Sequence, residues 1–281
     1  MTTYTYRPLE GECSIRILGI SPAPDDHQLS GTLFYASLDD KPTFDTLSYT
    51  WGAPDFSSRI TIDGQELAIA ANLDSALRAM RSRSGTEPTI IWADGICINQ
   101  KDIPERNHQV RLMHGVYSEC RTCLIYLGEE ADGSHEVPGF LTKIYSSHIR
   151  SLINSCTRGQ PVNPVLPLAE DSGWKALGAF MRRPWFRRIW IVQEFCLPAD
   201  IQMMCGRWEL PSQYLVDLFG IDALGNASSG LTAVMGEEGA RTLGVHSVHY
   251  RIRRALGRDM EIDMDTPGIP VLTIPHPFLK S

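Results

Sequence analysis

The chain has 281 residues, 43% of them hydrophobic and 21% charged, with a formal net charge of −7. That is enough apolar material to fill a proper core, in one large domain or two small ones. The acidic balance excludes a strongly phosphate-driven nucleic-acid binder, since no local basic patch dominates.

Residues 15–20 and 31–38 read as two strands, separated by a Pro- and Asp-rich loop. A third strand at 45–50 stops at Trp51-Gly52-Ala53-Pro54. Residues 59–70 read as a hairpin turned at Asp63-Gly64. A helix follows, with Asn72 as its expected cap and Leu73, Ala76, Leu77 and Met80 at helical spacing. Thr89–Trp92 form a short strand ending at Ala93-Asp94-Gly95. Asp102 and Glu105 have the spacing of a capping box and open a helix running to about Glu119. A strand at 122–127 is closed by Gly128, residues 129–139 read as a loop and 140–153 as a helix. The Pro-containing stretch 155–172 reads as a surface excursion. Helices are expected at 173–181 and 187–197, on either side of Pro184, and a last strand at 201–205.

Strands alternating with helices from 45 to 205 predict an α/β fold, with a mostly parallel sheet covered by helices on both faces. The first two strands predict an N-terminal β-hairpin addition to that sheet. The expected organisation is 1–44 as strands packed on the domain, 45–220 as the α/β domain and 221–281 as a poorly organised tail. No run of about 18 apolar residues occurs, and the amino-terminal segment lacks a basic stretch followed by a long apolar one. No membrane association or secretion is therefore expected. The seven scattered cysteines read as free thiols of a reducing, cytoplasmic compartment.

Three blocks stand out in order. They are Leu47-Ser48-Tyr49-Thr50-Trp51-Gly52, then Ile91 to Gln100 followed by Glu105-Arg106, Gln109 and Met113, then Arg183-Pro184-Trp185-Phe186 through Glu194. Together they resemble the fungal heterokaryon incompatibility (HET) domain over roughly residues 6–206. The resemblance implies a role in nonself recognition and programmed cell death. Gly95 departs from it, standing where the family more often has a larger residue, which implies a looser turn. The HET family is in turn distantly similar to TIR domains, which implies a flavodoxin-like sheet. Several TIR domains cleave NAD with one glutamate. Ser48-Tyr49 and Trp190 with Glu194 look like the matching features here, so Glu194 is the catalytic candidate.

An open parallel sheet binds ligands beyond the carboxyl ends of its strands. Tyr49–Gly52, Asp94–Asn99 and the loop after Gly128 should converge there. On a helix at 187–197, Arg187, Trp190, Glu194 and Leu197 would share one face of a largely buried element. A fixed carboxylate can stabilise the oxocarbenium-like transition state formed when nicotinamide leaves ribose. Trp190 or Trp51 would stack on the ring and Arg187 or Arg188 would meet the pyrophosphate. The expected ligand set is Ser48, Tyr49, Trp51, Asp94, Asn99, Arg188 and Trp190, with NAD as candidate substrate and no cofactor required.

Each residue also has a plainer reading. Glu194 can be half of a structural ion pair, Asp94 and Asn99 can be turn residues, and most tryptophans can fill the core. Ser48 lacks the surroundings of a hydrolase nucleophile. Cys120 and Cys123 have half a zinc site's spacing with no second pair, and His108 and His114 do not share a helix face. No metal site and no Gly-rich phosphate loop are expected. The rival to an NAD hydrolase is a non-catalytic module that signals by self-association or by binding another incompatibility protein. It requires a buried, fully paired Glu194 and an exposed apolar patch elsewhere.

Overall fold

The structure, a computed structural model, describes residues 2–24, 26–83, 86–146, 167–188 and 190–211. The tail at 221–281, and most of the excursion expected at 155–172, lie outside these residues.

Among the described residues, nine strands form one sheet. They are β1 (Ser14–Ile20), β2 (Leu29–Ser37), β3 (Asp45–Tyr49), β4 (Ser58–Ile62), β5 (Gln65–Ile69), β6 (Thr89–Trp92), β7 (Cys123–Tyr126), β8 (Ile201–Cys205) and β9 (Trp208–Pro211). Their order across the sheet is β5-β4-β2-β1-β6-β3-β7-β8-β9. The four neighbours β6, β3, β7 and β8 run parallel, as do β2 and β4. The pairs β1–β2, β1–β6, β4–β5 and β8–β9 are antiparallel. The expected mostly parallel sheet is therefore a mixed one. Its parallel centre follows from strand–helix alternation. The hairpins flanking it are joined by connections too short for a crossover, so they must pair antiparallel. The β4–β5 turn carries positive φ at both Asp63 (48°) and Gly64 (81°), which suits the twist of a two-residue hairpin.

All residues of β3 and β7 are buried, so both faces of the sheet centre are covered. The cover comes from α1 (Ala71–Arg83), α2 (Asp94–Cys97), α3 (Ile103–Glu119), α4 (137–146), α5 (Ser172–Met181) and α6 (Ile191–Cys196), with 3-10 turns at Leu38–Asp40, Ser134–Glu136 and Pro184–Arg187. The free edge at β5 is met by the amino-terminal segment, where the Tyr4 N–H donates to the Glu66 carbonyl and the Glu66 N–H to the Thr2 carbonyl.

Several elements differ from expectation for local reasons. Asn72 does not cap α1, which begins at Ala71; its side-chain amide instead donates to the Thr50 carbonyl at 3.0 Å, tying the helix to the end of β3. Asp102 does cap α3, accepting from the Glu105 N–H at 3.0 Å. Glu105 turns away to hold Arg16, which donates to its two oxygens at 2.7 and 3.0 Å. The helix expected at 140–153 already begins at 137, and its residues beyond 146 lie outside the described ones. The helix expected at 187–197 is a 3-10 turn, then an extended Arg188 (φ −82°, ψ 141°), then the short α6. Pro184 sets the turn's first φ and the chain must unwind before α6 can start. Arg187 is consequently outside that helix, and the face it was to share with Trp190 and Glu194 does not form. Strand β9 was not expected at all.

Candidate functional site

Alternation along β3 places Thr46 and Ser48 on one face of the sheet and Leu47 and Tyr49 on the other. On the first face the Ser48 hydroxyl is used completely. It accepts from the Trp185 indole N–H at 2.7 Å and donates to Glu194 Oε2 at 2.6 Å. Arg188 closes on the same carboxylate with a two-pronged contact, Nη1 to Oε2 at 3.0 Å and Nη2 to Oε1 at 2.9 Å. The Glu194 side chain is 2% exposed and that of Arg188 19%. Burial raises the Glu194 carboxyl above its ordinary range, opposed by the Arg188 charge and the Ser48 hydroxyl.

The second carboxylate belongs to α2. The Trp51 indole N–H donates to Asp94 Oδ2 at 2.9 Å, and the Tyr49 hydroxyl stands against the same carboxylate. Burial raises the Asp94 carboxyl, opposed first by the Trp51 N–H and then by the Arg188 charge. Tyr49 is buried, and its hydroxyl is pushed well above the usual range by burial and by the Asp94 charge. Glu194, Asp94 and Tyr49 all feel Arg188, so one guanidinium serves two carboxylates, Glu194 buried and Asp94 partly so. Gly95 is not a loose turn. A Cβ there would stand 2.5 Å from the Tyr49 hydroxyl and 2.9 Å from Leu73 Cδ2, so the tyrosine occupies the room a larger residue needs.

The three expected segments do converge at the carboxyl ends of β3, β6 and β7. Trp51 bonds to Asp94, and Arg183 holds the loop after β7, donating to the Leu127 carbonyl at 2.6 Å and the Glu129 carbonyl at 2.9 Å. Ser48, Trp185, Arg188 and Glu194 form one hydrogen-bonded group, and Trp51 with Asp94 another. Trp190 precedes α6 with 40% of its surface exposed, although Glu194 four residues on is buried. Asn99 joins neither group. Its side chain accepts from the Lys101 N–H at 3.3 Å, and its own N–H donates to Glu105 Oε1 at 2.7 Å, which is the work of a turn residue. Sequence reasoning missed the contacts of Trp185 and Arg183. Their place in the Arg-Pro-Trp-Phe block was the available signal, but nothing local distinguishes a core indole from one that also orients a serine.

The cleft of about 580 Å³ lies elsewhere, at the amino ends of β3 and β6, among Asp45, Thr89, Arg121 and Glu209. That is the wrong end of the parallel strands for a ligand site of the open-sheet kind. Among the described residues, no group of three or more His, Cys, Asp or Glu is placed to hold a metal, and no helix is long and apolar enough to cross a membrane. The six described cysteines are free; burial pushes the Cys97 thiol up to about 12 and that of Cys120 to about 11.

A family model described as heterokaryon incompatibility protein matches residues 44–194. Among curated proteins, the chain is 29% identical over 236 residues to heterokaryon incompatibility protein 6, OR allele, of Neurospora crassa. The match covers 72% of this chain but 34% of that protein, so the chain spans about a third of its relative's length. No solved structure matches.

Proposed function

The chain belongs to the heterokaryon incompatibility family, and from that premise we propose that it serves fungal nonself recognition as a partner-binding module. Its partner is a second copy or another incompatibility protein, and engagement leads to regulated cell death. The observation that carries this reading is the state of Glu194. Both of its oxygens are held by Arg188, one is also held by Ser48, and the side chain is 2% exposed. A carboxylate so enclosed has no open face toward a developing sugar cation. A buried ion pair of this kind fixes α6 against β3, as a structural link would.

A second reading, NAD glycohydrolysis at a TIR-like site, is favoured by a different observation. Asp94 lies beside the half-exposed indole of Trp51, at the end of the sheet where open α/β folds bind nucleotides. Incubating the full chain and its Glu194→Gln variant with NAD, and following free nicotinamide, separates the two. The partner-binding reading expects no release from either protein. Release by the wild type that disappears in Glu194→Gln overturns it and supports hydrolysis.

A further inference from the structure

The amino-terminal segment is anchored at both ends of a groove and loosely tied beyond it. Its first residues lie along the edge strand β5. Thr3 pairs in parallel with Glu66, the Tyr4 N–H donates to the Glu66 carbonyl and the Glu66 N–H to the Thr2 carbonyl, both at 2.9 Å, and the Thr5 N–H donates to Gln65 Oε1 at 3.2 Å. The segment then crosses to β1, where the Tyr6 hydroxyl donates to the Ile96 carbonyl at 2.8 Å and Arg16 to the Arg7 carbonyl at 2.7 Å. The groove is therefore lined by groups that this segment completes. They are the outward N–H and carbonyl of Glu66 on a sheet edge, and the buried guanidinium of Arg16, 4.9 Å from the Tyr6 ring. None of these contacts involves residues 8–11, which lead from the segment toward β1. Residues 8, 10 and 11 are exposed. Among the described residues, the hydrogen bonds of 8–11 run to Ser14, whose N–H donates to the Gly11 carbonyl at 3.4 Å and whose hydroxyl donates to the Glu10 carbonyl. Gly11 closes this turn at φ 100°, where a residue with a side chain is strained.

We infer that this groove is an interaction surface for a second copy of the chain, and that two copies exchange residues 2–7 about a hinge at Pro8–Gly11. A second copy brings the same segment, so every contact made to the groove within one chain is made again between two. The exchange gives up the hinge turn and the freedom of two separate chains, and keeps the rest. The turn is the weak element, since its backbone bond of 3.4 Å is long for an N–H to carbonyl contact. Pro8 has no N–H to lose and holds Arg7 extended in either form. The resulting pair is symmetric and closed, because each β5 edge is covered by the other copy's segment. This assignment rests on the reading of the chain as a module that binds a second copy, and it names the surface that does so.

Two measurements on the full chain test the exchange. The first is sedimentation of the wild type and of Gly11→Val over a wide concentration range. Valine at φ 100° strains the closed turn, and a Cβ there already stands 3.1 Å from Ser14 Oγ. Opening two hinges per dimer relieves that strain, so the variant should dimerise at least about tenfold more tightly than the wild type. The second leaves the hinge unaltered. One chain carrying Thr3→Cys is co-expressed with another carrying Glu66→Cys, the purified protein is oxidised, and the covalent dimer is digested for mass spectrometry. A disulfide joining position 3 of one chain to position 66 of the other is expected. A dimer without that link, or one whose strength Gly11→Val leaves unchanged, overturns the exchange and leaves binding of a second copy by another surface. A wild type that stays monomeric throughout overturns both the exchange and the second copy as partner. Nicotinamide release from NAD is read separately, so failure of the partner-binding reading and failure of this surface are distinguishable.

Discussion

Arg188 and Glu194 lie six positions apart, Arg188 extended and Glu194 in the first turn of α6, and their side chains meet through two hydrogen bonds of 3.0 and 2.9 Å. No regular helix brings residues six apart face to face. The contact exists because the chain unwinds after Arg187 and Arg188 swings back over the first turn of α6. Leaving one member alone is therefore more damaging than removing both. Arg188→Leu should lose about 3–5 kcal/mol, because it strands a buried carboxylate. The double variant Arg188→Leu, Glu194→Leu should recover much of that. Urea unfolding of the wild type, Arg188→Leu, Glu194→Leu and the double variant measures the coupling. A single-variant loss below about 1 kcal/mol would place the pair with solvent-screened surface pairs instead.

Much of the architecture was legible because periodicity reports burial. The apolar runs at 45–50, 89–92, 122–127 and 201–205 each became a strand of the parallel centre. The turn at Asp63-Gly64 was readable from two residues, since only such pairs tolerate positive φ together. The stretch 187–197 misled because an apolar helix and an apolar coil leading into a short helix share a composition. Only the position of Pro184 hinted at the unwinding. The site was half legible. Ser48, Trp51, Asp94, Arg188 and Glu194 were named from the motif blocks, but who bonds to whom depends on strand faces and on folding the chain back across 146 positions, as Ser48 and Glu194 require. Asn99 looked like a ligand for the reason that made it a turn residue, its short amide side chain.

Asp94 makes stability depend on pH in a definite direction. Burial holds its proton to higher pH in the folded chain than in the unfolded one. As pH rises, the unfolded chain therefore releases this proton first and is stabilised relative to the folded chain. The stability Asp94 contributes is present in full below about pH 4, the unfolded value, and is lost as pH rises through the folded value. Asp94→Asn cannot ionise, so the variant should gain on the wild type as pH rises above about 4. Thermal melts of both across that range provide the check, and a gap independent of pH contradicts it.

Gly95 and Tyr49 compete for one space. A methyl group at position 95 would sit 2.5 Å from the Tyr49 hydroxyl and 2.9 Å from Leu73 Cδ2. Gly95→Ala should cost about 1–3 kcal/mol through overpacking. Tyr49→Phe removes the nearer atom and leaves the leucine, so Gly95→Ala should be milder in that background but not free. The expected coupling is about 0.5 kcal/mol or more, read from a double-mutant cycle in denaturant. Strict additivity of the two changes would mean that the clash is relieved by a backbone shift.

Arg16 is a further buried charge on which the sheet depends. Its side chain is 0% exposed and lies between the amino-terminal segment and α3. It donates to both oxygens of Glu105, to the Cys97 carbonyl at 3.1 Å and to the Arg7 carbonyl at 2.7 Å, with its guanidinium 4.9 Å from the centre of the Tyr6 ring. Lysine carries the charge but not the planar fork, so it cannot reach these partners together. Arg16→Lys should therefore destabilise the fold by several kcal/mol, on the order of the 3–5 that breaking a buried pair costs. It should also loosen the segment that Arg16 holds by Arg7, since the Tyr6 hydroxyl bond to the Ile96 carbonyl at 2.8 Å is then its remaining tie to α2 and the residues around it. Hydrogen exchange at residues 2–7 reports that loosening. Exchange there that is unchanged in Arg16→Lys would show that the segment is held by its pairing with β5 and by the Tyr6 hydroxyl without help from Arg16.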